Sequence, residues 1–433
     1  MTTNPRRFLF PMWEGGGTLP PMLGVARQLL GRGHQVQVIA DPTVEDDAKA
    51  AGCSFTSWRR APHRTSLDPQ DDLMRDWEVN NPLAMLKRAR DQFIAGPARD
   101  YAADTFEAIE AFQADVVVPD VHLFGAIIAA QAAKLPVVPL VPNIWMLPTP
   151  GSPPVGPGFG PANHALARGR NALMRSIVNR LFDAALPTLN GVRSHYGLEP
   201  LGSFYDQALS AEKILVLSSP TFDFASSTVP SNVTYVGPVL DDPSWAEPWT
   251  PPWSTPNGQP LVLVGFSSTF QDQGPLLRRV VAALSELPVR AVVTLGQMLA
   301  PNEVAATENV SVIGSAPHGP ILEQAQLAVT HCGHGTTLKA LSAGVPLVCI
   351  PMGRDQNDTA ARVVHQGAGV RLSTTATVNQ IRTAVERVLK EPCYADNANR
   401  LAADIARERS SSDLVGLLEA VAPSKPERVA VRA

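Results

Sequence analysis

Cysteine is scarce in this chain. Cys53, Cys332, Cys349 and Cys393 are the four in 433 residues, they lie far apart, and none stands in a Cys-x-x-Cys pair. That pattern suits neither a disulfide framework nor a zinc site, and it points to a reducing compartment, so a cytoplasmic location is expected. Aromatic residues are few at 6%, and charged residues reach only 18%. The two signs of charge nearly cancel, leaving −4, and no basic block precedes the tail, so nucleic acid is not an expected partner. No apolar run is long enough to cross a bilayer, and no membrane partner is expected. Arg6 and Arg7 precede an apolar run that Pro11 and Glu14 cut short, which reads as a first strand and not a signal peptide.

Hydrophobic residues, at 45%, are enough for a substantial core, and 433 residues accommodate two domains of ordinary size. Phe8-Leu9-Phe10 reads as a strand, 20–30 as a helix and 35–39 as a second strand, the β-α-β opening of a doubly wound domain. Helical stretches are expected over 69–112, broken at Pro82 and Pro97, then strands at 116–118 and 137–141. Residues 142–161 are so rich in proline and glycine that no packed element is expected there; the stretch is either a functional lid or a surface excursion. Helix is expected over 163–195, and strands at 213–217 and 233–236. Residues 241–260 carry six prolines with Trp245, Trp249 and Trp253 among them, the pattern of a semi-rigid linker pinned by its tryptophans. The pattern then restarts with a strand at 261–264, a helix at 274–287 and strands at 291–293 and 310–313. The expected division is 1–240, the linker 241–260, a second domain 261–396, a helical segment 397–423 and a tail 424–433.

The most informative stretch is 330–356. An apolar strand, Leu327-Ala328-Val329, runs into Thr330-His331-Cys332-Gly333-His334-Gly335-Thr336-Thr337, then a short helix beginning near Thr336, a buried β-run from Val345 and the loop Met352-Gly353-Arg354-Asp355-Gln356. Gly333 and Gly335 allow backbone amides to approach a ligand, and the helix start offers unpaired N–H groups and a positive dipole end, an arrangement suited to a phosphate or diphosphate. A second polar turn, Gly265-Phe266-Ser267-Ser268-Thr269, follows another strand and could bind the same ligand or cap a helix. His331, Cys332 and His334 could be read as metal ligands, but no carboxylate or cysteine pair completes such a site, and no metal is expected.

This block resembles the donor-binding motif of nucleotide-sugar-dependent glycosyltransferases of the GT-B fold, in particular the bacterial natural-product branch (macrolide, polyketide, phenolic) of the UDP-glycosyltransferase superfamily. The resemblance extends over nearly the whole chain. It implies an α/β architecture of two Rossmann-like doubly wound domains facing across a cleft, the first binding acceptor and the second donor. It implies that His331, Gly335 and Thr336 hold the diphosphate, with Gly333 and His334 in the same donor-binding turn, and that the helical segment 397–423 packs back on the first domain. It implies further that Asp355 and Gln356 bind sugar hydroxyls, and that the segment of His318 grips the nucleotide base. The expected reaction is inverting transfer of a sugar from a UDP- or TDP-linked donor to a hydroxyl, or an aromatic carbon, of a hydrophobic natural product such as a polyketide or flavonoid. The donor is a co-substrate, no cofactor is implied, and monomer and homodimer both stay open.

One position departs from the family. Many members place a His after a Gly in the loop following the first strand, oriented by an Asp from a later strand. Here the loop is Gly15-Gly16-Gly17, with Gly17 where the His would stand. Three residues could serve instead: Asp120, which ends the strand where the orienting Asp is found; His122, with a suitable intrinsic pKa; and Glu14, in the loop itself. They are ranked in that order. His34 reads as structural. Two alternatives remain open from sequence: a nucleotide-sugar epimerase on the same fold, and a catalytically degenerate nucleotide-binding auxiliary protein.

Overall fold

A computed structural model describes residues 5–79, 81–224, 227–253, 258–300 and 302–421. The expected tail, 424–433, lies outside the described residues. In the first half, β1 (Arg7–Pro11), β2 (Gln35–Ala40), β3 (Ser54–Ser57) and β4 (Val116–Val117) form a parallel sheet of order β3-β2-β1-β4. Parallel bridges from Val117 to Val137 and from Asp120 to Leu140 continue it into β5 (Leu140–Val141), β6 (Ile214–Val216) and β7 (Val233–Tyr235). In the second half, β8 (Leu261–Gly265), β9 (Arg290–Thr294), β10 (Val310–Ile313), β11 (Leu327–Thr330), β12 (Leu347–Cys349) and β13 (Gly369–Arg371) form one parallel sheet of order β10-β9-β8-β11-β12-β13.

Each sheet is covered on both faces, which is why its strands read as continuous apolar runs. Phe8 and Phe10 of β1 enter one core and Leu9 the other; Val262 and Val264 of β8 likewise part from Leu261 and Leu263. The period of two along a strand assigns alternate residues to opposite faces.

Prolines account for most differences from the expected elements. The strand expected at 137–141 is only Leu140–Val141, since Pro136 and Pro139 offer no ladder N–H. Over 69–112, Pro82 starts a helix (Pro82–Ala89) and does not break one, because a first-turn residue has no intrahelical N–H bond to lose. A π-turn (Arg90–Ile94) and a longer helix (Ala98–Phe112) follow, while Pro69–Asp71 and Asp76–Glu78 are single 3₁₀ turns. The Pro-rich connector is seated by Trp249 and Trp253, which pack on the second-half core.

The C-terminal helical segment is two helices, Pro392–Ser411 and Leu414–Glu419, separated where Asp413 accepts from the Gly416 amide at 3.0 Å. Leu414, Val415, Leu418 and Val421 are buried in the first-half core beside Phe8 and Leu19. His34 is structural: its Nδ1 accepts from the Arg6 amide at 3.1 Å and its Nε2 meets Glu419 at 3.0 Å.

The Pro/Gly-rich stretch 142–161 carries neither helix nor strand, yet it is tied down at both ends. Asp223 accepts from the Trp145 amide (2.8 Å), and Asp358 of the second half accepts from the amides of Gly156 (2.6 Å) and Gly158 (2.9 Å). Gly158, at φ +69°, passes so close to Asn357 that a Cβ would sit 2.5 Å from its carbonyl oxygen. The stretch is therefore a strap between the halves and not a loose excursion.

Because Leu418 is fully buried in a core that is otherwise built from the first half, Leu418→Ala should destabilise the protein by about 2–5 kcal/mol. Equilibrium denaturation of the full chain measures this; an unchanged midpoint would mean the terminal helix is not docked.

Candidate active site

β11 ends at Thr330, and the helix His334–Ser342 starts four residues later with Gly333 as its cap. The Thr337 amide makes the helix's first bond, to the Gly333 carbonyl at 3.0 Å. The amides of His334, Gly335 and Thr336 thus have no intrahelical acceptor and face the cleft at the positive end of the dipole. Gly333 is required by its neighbour: a Cβ there would lie 2.5 Å from His331 Nε2. At Gly335 a Cβ would meet nothing within 4 Å, so that side of the turn is open.

His331 is buried beside Phe266, their ring centroids 6.0 Å apart. Burial pushes its pKa down to about 4, against a smaller opposing contribution from a hydrogen bond with Gly265, so the ring is neutral at pH 7. His318 is likewise driven to about 4, by burial first and Lys339 second. Its Nε2 lies 3.1 Å from Thr294 Oγ1, and its amide donates to Asp242 at 3.2 Å. His334 is also held near 4 by burial; its side chain turns to the first half, Nε2 lying 3.4 Å from the Leu217 carbonyl oxygen. What His334 offers the cradle is its main chain.

Ser267 and Thr269 engage each other, Oγ to Oγ1 at 3.0 Å, and the Thr269 amide donates to Ser267 Oγ at 3.1 Å. They do not cap the next helix, which begins at Gly274. Ser268 is the half-exposed member of the turn and lines the cleft. Across the cleft, Gly16 (φ +68°) comes so near that a Cβ would lie 2.7 Å from Thr269 and 2.8 Å from Ser268 Oγ.

Asp355 and Gln356 part company. Gln356 Oε1 accepts from the amides of Met352 (2.7 Å) and Gly353 (3.0 Å), and its Nε2 donates to Gln271 at 2.9 Å. Both acceptor sites are filled and one amide hydrogen is left for a ligand, so Gln356 mainly shapes the loop. The Asp355 carboxylate takes no hydrogen bond from another residue among those described and lines the cleft, its pKa raised by burial.

Of the three candidate bases on the first-half side, His122 and Glu14 line the cleft and Asp120 does not. Asp120 is completely buried: its Oδ1 accepts from the His122 amide (2.9 Å) and lies 2.7 Å from His122 Nδ1, while Oδ2 accepts from Trp13 Nε1 (3.3 Å). A carboxylate so enclosed cannot reach an acceptor. It fixes the His122 tautomer with the proton on Nδ1, leaving the Nε2 lone pair free. His122 lines the cleft. Burial disfavours its charged form, but the charge and hydrogen bond of Asp120, with a further contribution from Asp355, outweigh that and raise its pKa above 6.5. Glu14 borders the same space, its pKa raised to about 7 by burial and then by Asp41, against the Gly16 amide that donates to it at 2.9 Å. At Gly17 a Cβ would meet nothing within 4 Å, so the loop leaves open the volume a side chain would fill.

The cleft encloses about 670 Å³. Its first-half part is apolar, walled by Met85, Leu86, Phe93, Ile94, Trp145 and Phe182. Among the described residues no group of three or more His, Cys, Asp or Glu side chains is gathered as a metal site. Sequence reasoning passed over Trp13, which orients Asp120; Asp41, whose Oδ2 accepts from the Glu14 amide at 2.7 Å; and Arg354, quoted in the motif without a role.

Two parallel Rossmann-type sheets, an amide cradle on one side of a cleft and an apolar chamber with a His–Asp pair on the other, define a nucleotide-sugar transferase of the GT-B type. The comparisons agree. A family model described as "Erythromycin biosynthesis protein CIII-like, C-terminal domain" matches residues 278–421. The chain is 30% identical over 418 residues to 4'-demethylrebeccamycin synthase of Lentzea aerocolonigenes, covering 95% of this chain and 99% of that one. It is 27% identical over 419 residues to oleandomycin glycosyltransferase of Streptomyces antibioticus, covering 95% and 90%. The solved calicheamicin glycosyltransferase CalG4 superposes with a TM-score of 0.74 at 24% identity, over 97% of this chain and 100% of that one. The protein belongs to the bacterial natural-product branch of the UDP-glycosyltransferase superfamily, and it is a glycosyltransferase. The epimerase alternative finds no support among these relatives.

Gly333→Ala, which forces His331 out of place, should weaken TDP or UDP binding about tenfold or more. Isothermal titration calorimetry reads this directly, and unchanged affinity would remove the His331–Gly333 turn from the nucleotide site.

Proposed function

We propose that the protein transfers a sugar, with inversion, from a TDP- or UDP-linked donor to a hydroxyl of a hydrophobic natural product bound in the apolar chamber. The observation that carries this reading is His122, oriented by a buried carboxylate, in the wall of the same cleft that Asp355 and the amide cradle line. The acceptor O–H gives its proton to His122 Nε2 as its oxygen attacks the anomeric carbon. The bond to the diphosphate breaks, and the departing charge is taken by the amides of His334, Gly335 and Thr336 with His331 and Ser268. Asp355 accepts from the sugar hydroxyls. His318 borders the nucleotide base. A single displacement needs no covalent nucleophile, and the cradle supplies the positive electrostatics, so neither cofactor nor metal is required.

Residues 1–240 would then bind the acceptor and 261–396 the donor, with the segment from 397 returning to brace the first half. Both sides of the cleft come from one chain, so a monomer suffices. The setting is a reducing cytoplasm, in keeping with four unpaired cysteines. The intact His122–Asp120 pair speaks against a degenerate auxiliary role. Transfer to an electron-rich aromatic carbon is the variant reaction, since a phenolic acceptor activated by His122 can also react through carbon.

A panel of TDP- and UDP-sugars against phenolic and macrolide acceptors, read by mass of the product, tests the activity; donor hydrolysis alone, with no acceptor glycosylated, would overturn it. In that assay His122→Ala should lower kcat by about a hundredfold to ten-thousandfold with nucleotide affinity unchanged. As a base, His122 must be neutral, so activity should rise with pH through a pKa above 6.5. Asp120→Asn removes the largest influence that raises that pKa and leaves burial opposed by Asp355 alone, so the acid limb should move to lower pH while the plateau drops. An acid limb that stays in place would exclude His122 as the titrating group.

A further inference from the structure

A segment of the acceptor side reaches across the cleft into the loops that hold the donor. The 3₁₀ turn Asp76–Glu78 follows Arg75, a non-glycine residue at φ +37°, and its neighbours Met74 and Val79 line the apolar chamber. Asp76 is buried, and both its carboxylate oxygens are directed to the second half. Oδ2 accepts from Arg354 Nε at 2.9 Å and from Gln271 Nε2 at 2.6 Å, and Oδ1 lies 3.4 Å from Arg354 Nη2. Asp72 lies 3.6 Å from the same guanidinium. Beside this contact, the Trp77 ring stands edge-on to Phe270 with centroids 5.0 Å apart.

The groups that Asp76 grips are the ones that set the sugar loop. Gln271 receives the Gln356 amide, whose oxygen in turn holds the amides of Met352 and Gly353. Arg354 itself sits at φ +51°, a left-handed conformation that a non-glycine residue keeps only when its surroundings hold it there. The next residue is Asp355. The direction of its carboxylate therefore depends on a backbone turn fixed by a partner from the other half.

We infer that Asp76 is a positioning residue: through Arg354 and Gln271 it couples the wall of the acceptor chamber to the loop carrying Asp355, so that the sugar is correctly held only when the acceptor segment is in place. The inference rests on the assignment of acceptor and donor to the two sides of the cleft. Its chemical consequence concerns water. When the coupling is lost, the sugar is held loosely, and water can replace the acceptor hydroxyl in attacking the anomeric carbon, giving free sugar and nucleoside diphosphate.

The test uses the full chain with TDP and UDP as binding probes, and for rates the donor and acceptor that the panel identifies. Asp76→Asn keeps size and shape but removes the charge. It should lower the transfer kcat by about tenfold to a hundredfold, as expected for a misplaced reacting group, and raise the ratio of donor hydrolysis to transfer. Nucleotide affinity should stay within about twofold, because the phosphate cradle is separate. Arg354→Gln should behave alike, and the double variant should be no worse than either single one, since both act through one contact. A purely structural role would lower the melting temperature and nucleotide affinity together and leave the hydrolysis ratio unmoved; that result, or additive effects, overturns the inference. If the wild type binds neither TDP nor UDP, the donor assignment fails and the coupling falls with it. If the wild type binds and transfers while Asp76→Asn matches it, the coupling alone is refuted.

Discussion

The structure turns on three backbone amides left bare at the start of one helix. They are useful only because of where the helix begins. In the second sheet the strand order reverses between β8 and β11. Connections from these two neighbours leave toward opposite faces, and a crevice opens beyond their C-terminal ends. The turns at 265–269 and 331–335 both open into that crevice. The histidines beside it are kept neutral by burial, so the cradle acts through oriented dipoles. The nearby Arg354 cation is committed to Asp76. A site built from dipoles can hold a diphosphate without a buried unpaired charge to desolvate when the ligand is gone.

Contacts between the halves serve alignment more than stability. Arg362 pairs with Asp223 at 2.8 Å, Arg354 with Asp76 at 2.9 Å, and Asp358 accepts from two amides of the strap. Most of these groups are deeply buried, and desolvating them offsets much of their attraction. What such pairs supply is a single register. All three sets border the cleft, so the register they select also brings His122 and Asp355 to one cleft.

Much of this was legible in the sequence because it rests on local rules. Apolar runs marked β1, β8 and β11, and paired glycines at the start of a helix marked the cradle. Legibility failed where a residue's role depends on partners distant in the chain. Arg354 lies within the quoted motif, but its partner is 278 residues away. Gln356 and Asp355 are adjacent and equally polar, and only the fold shows that one turns inward and the other to the cleft. The short strand at β5 is a milder case, since Pro136 and Pro139 stand in the sequence and the expectation of a strand over 137–141 passed over them.

The pair Asp120–His122 shows how a site can be rebuilt when a usual component is missing. Both residues were visible, but their order of action was not, because a two-residue separation in a strand would point both the same way. The chain turns at that point: the Leu123 amide donates to the Asp120 carbonyl at 3.0 Å, and the Asp120 side chain receives the His122 amide. This local turn, of the kind aspartate favours, folds the imidazole over the carboxylate. In the proposed mechanism this pair, just beyond β4, supplies the base. Gly17 then needs no catalytic duty, and a Cβ there would meet nothing within 4 Å. On that reading the reacting oxygen comes to His122, whose ring stands 6.4 Å from that of Phe93 in the apolar wall, so an acceptor must bring its nucleophile to that wall, and a glycine in the loop leaves room that a side chain there would fill.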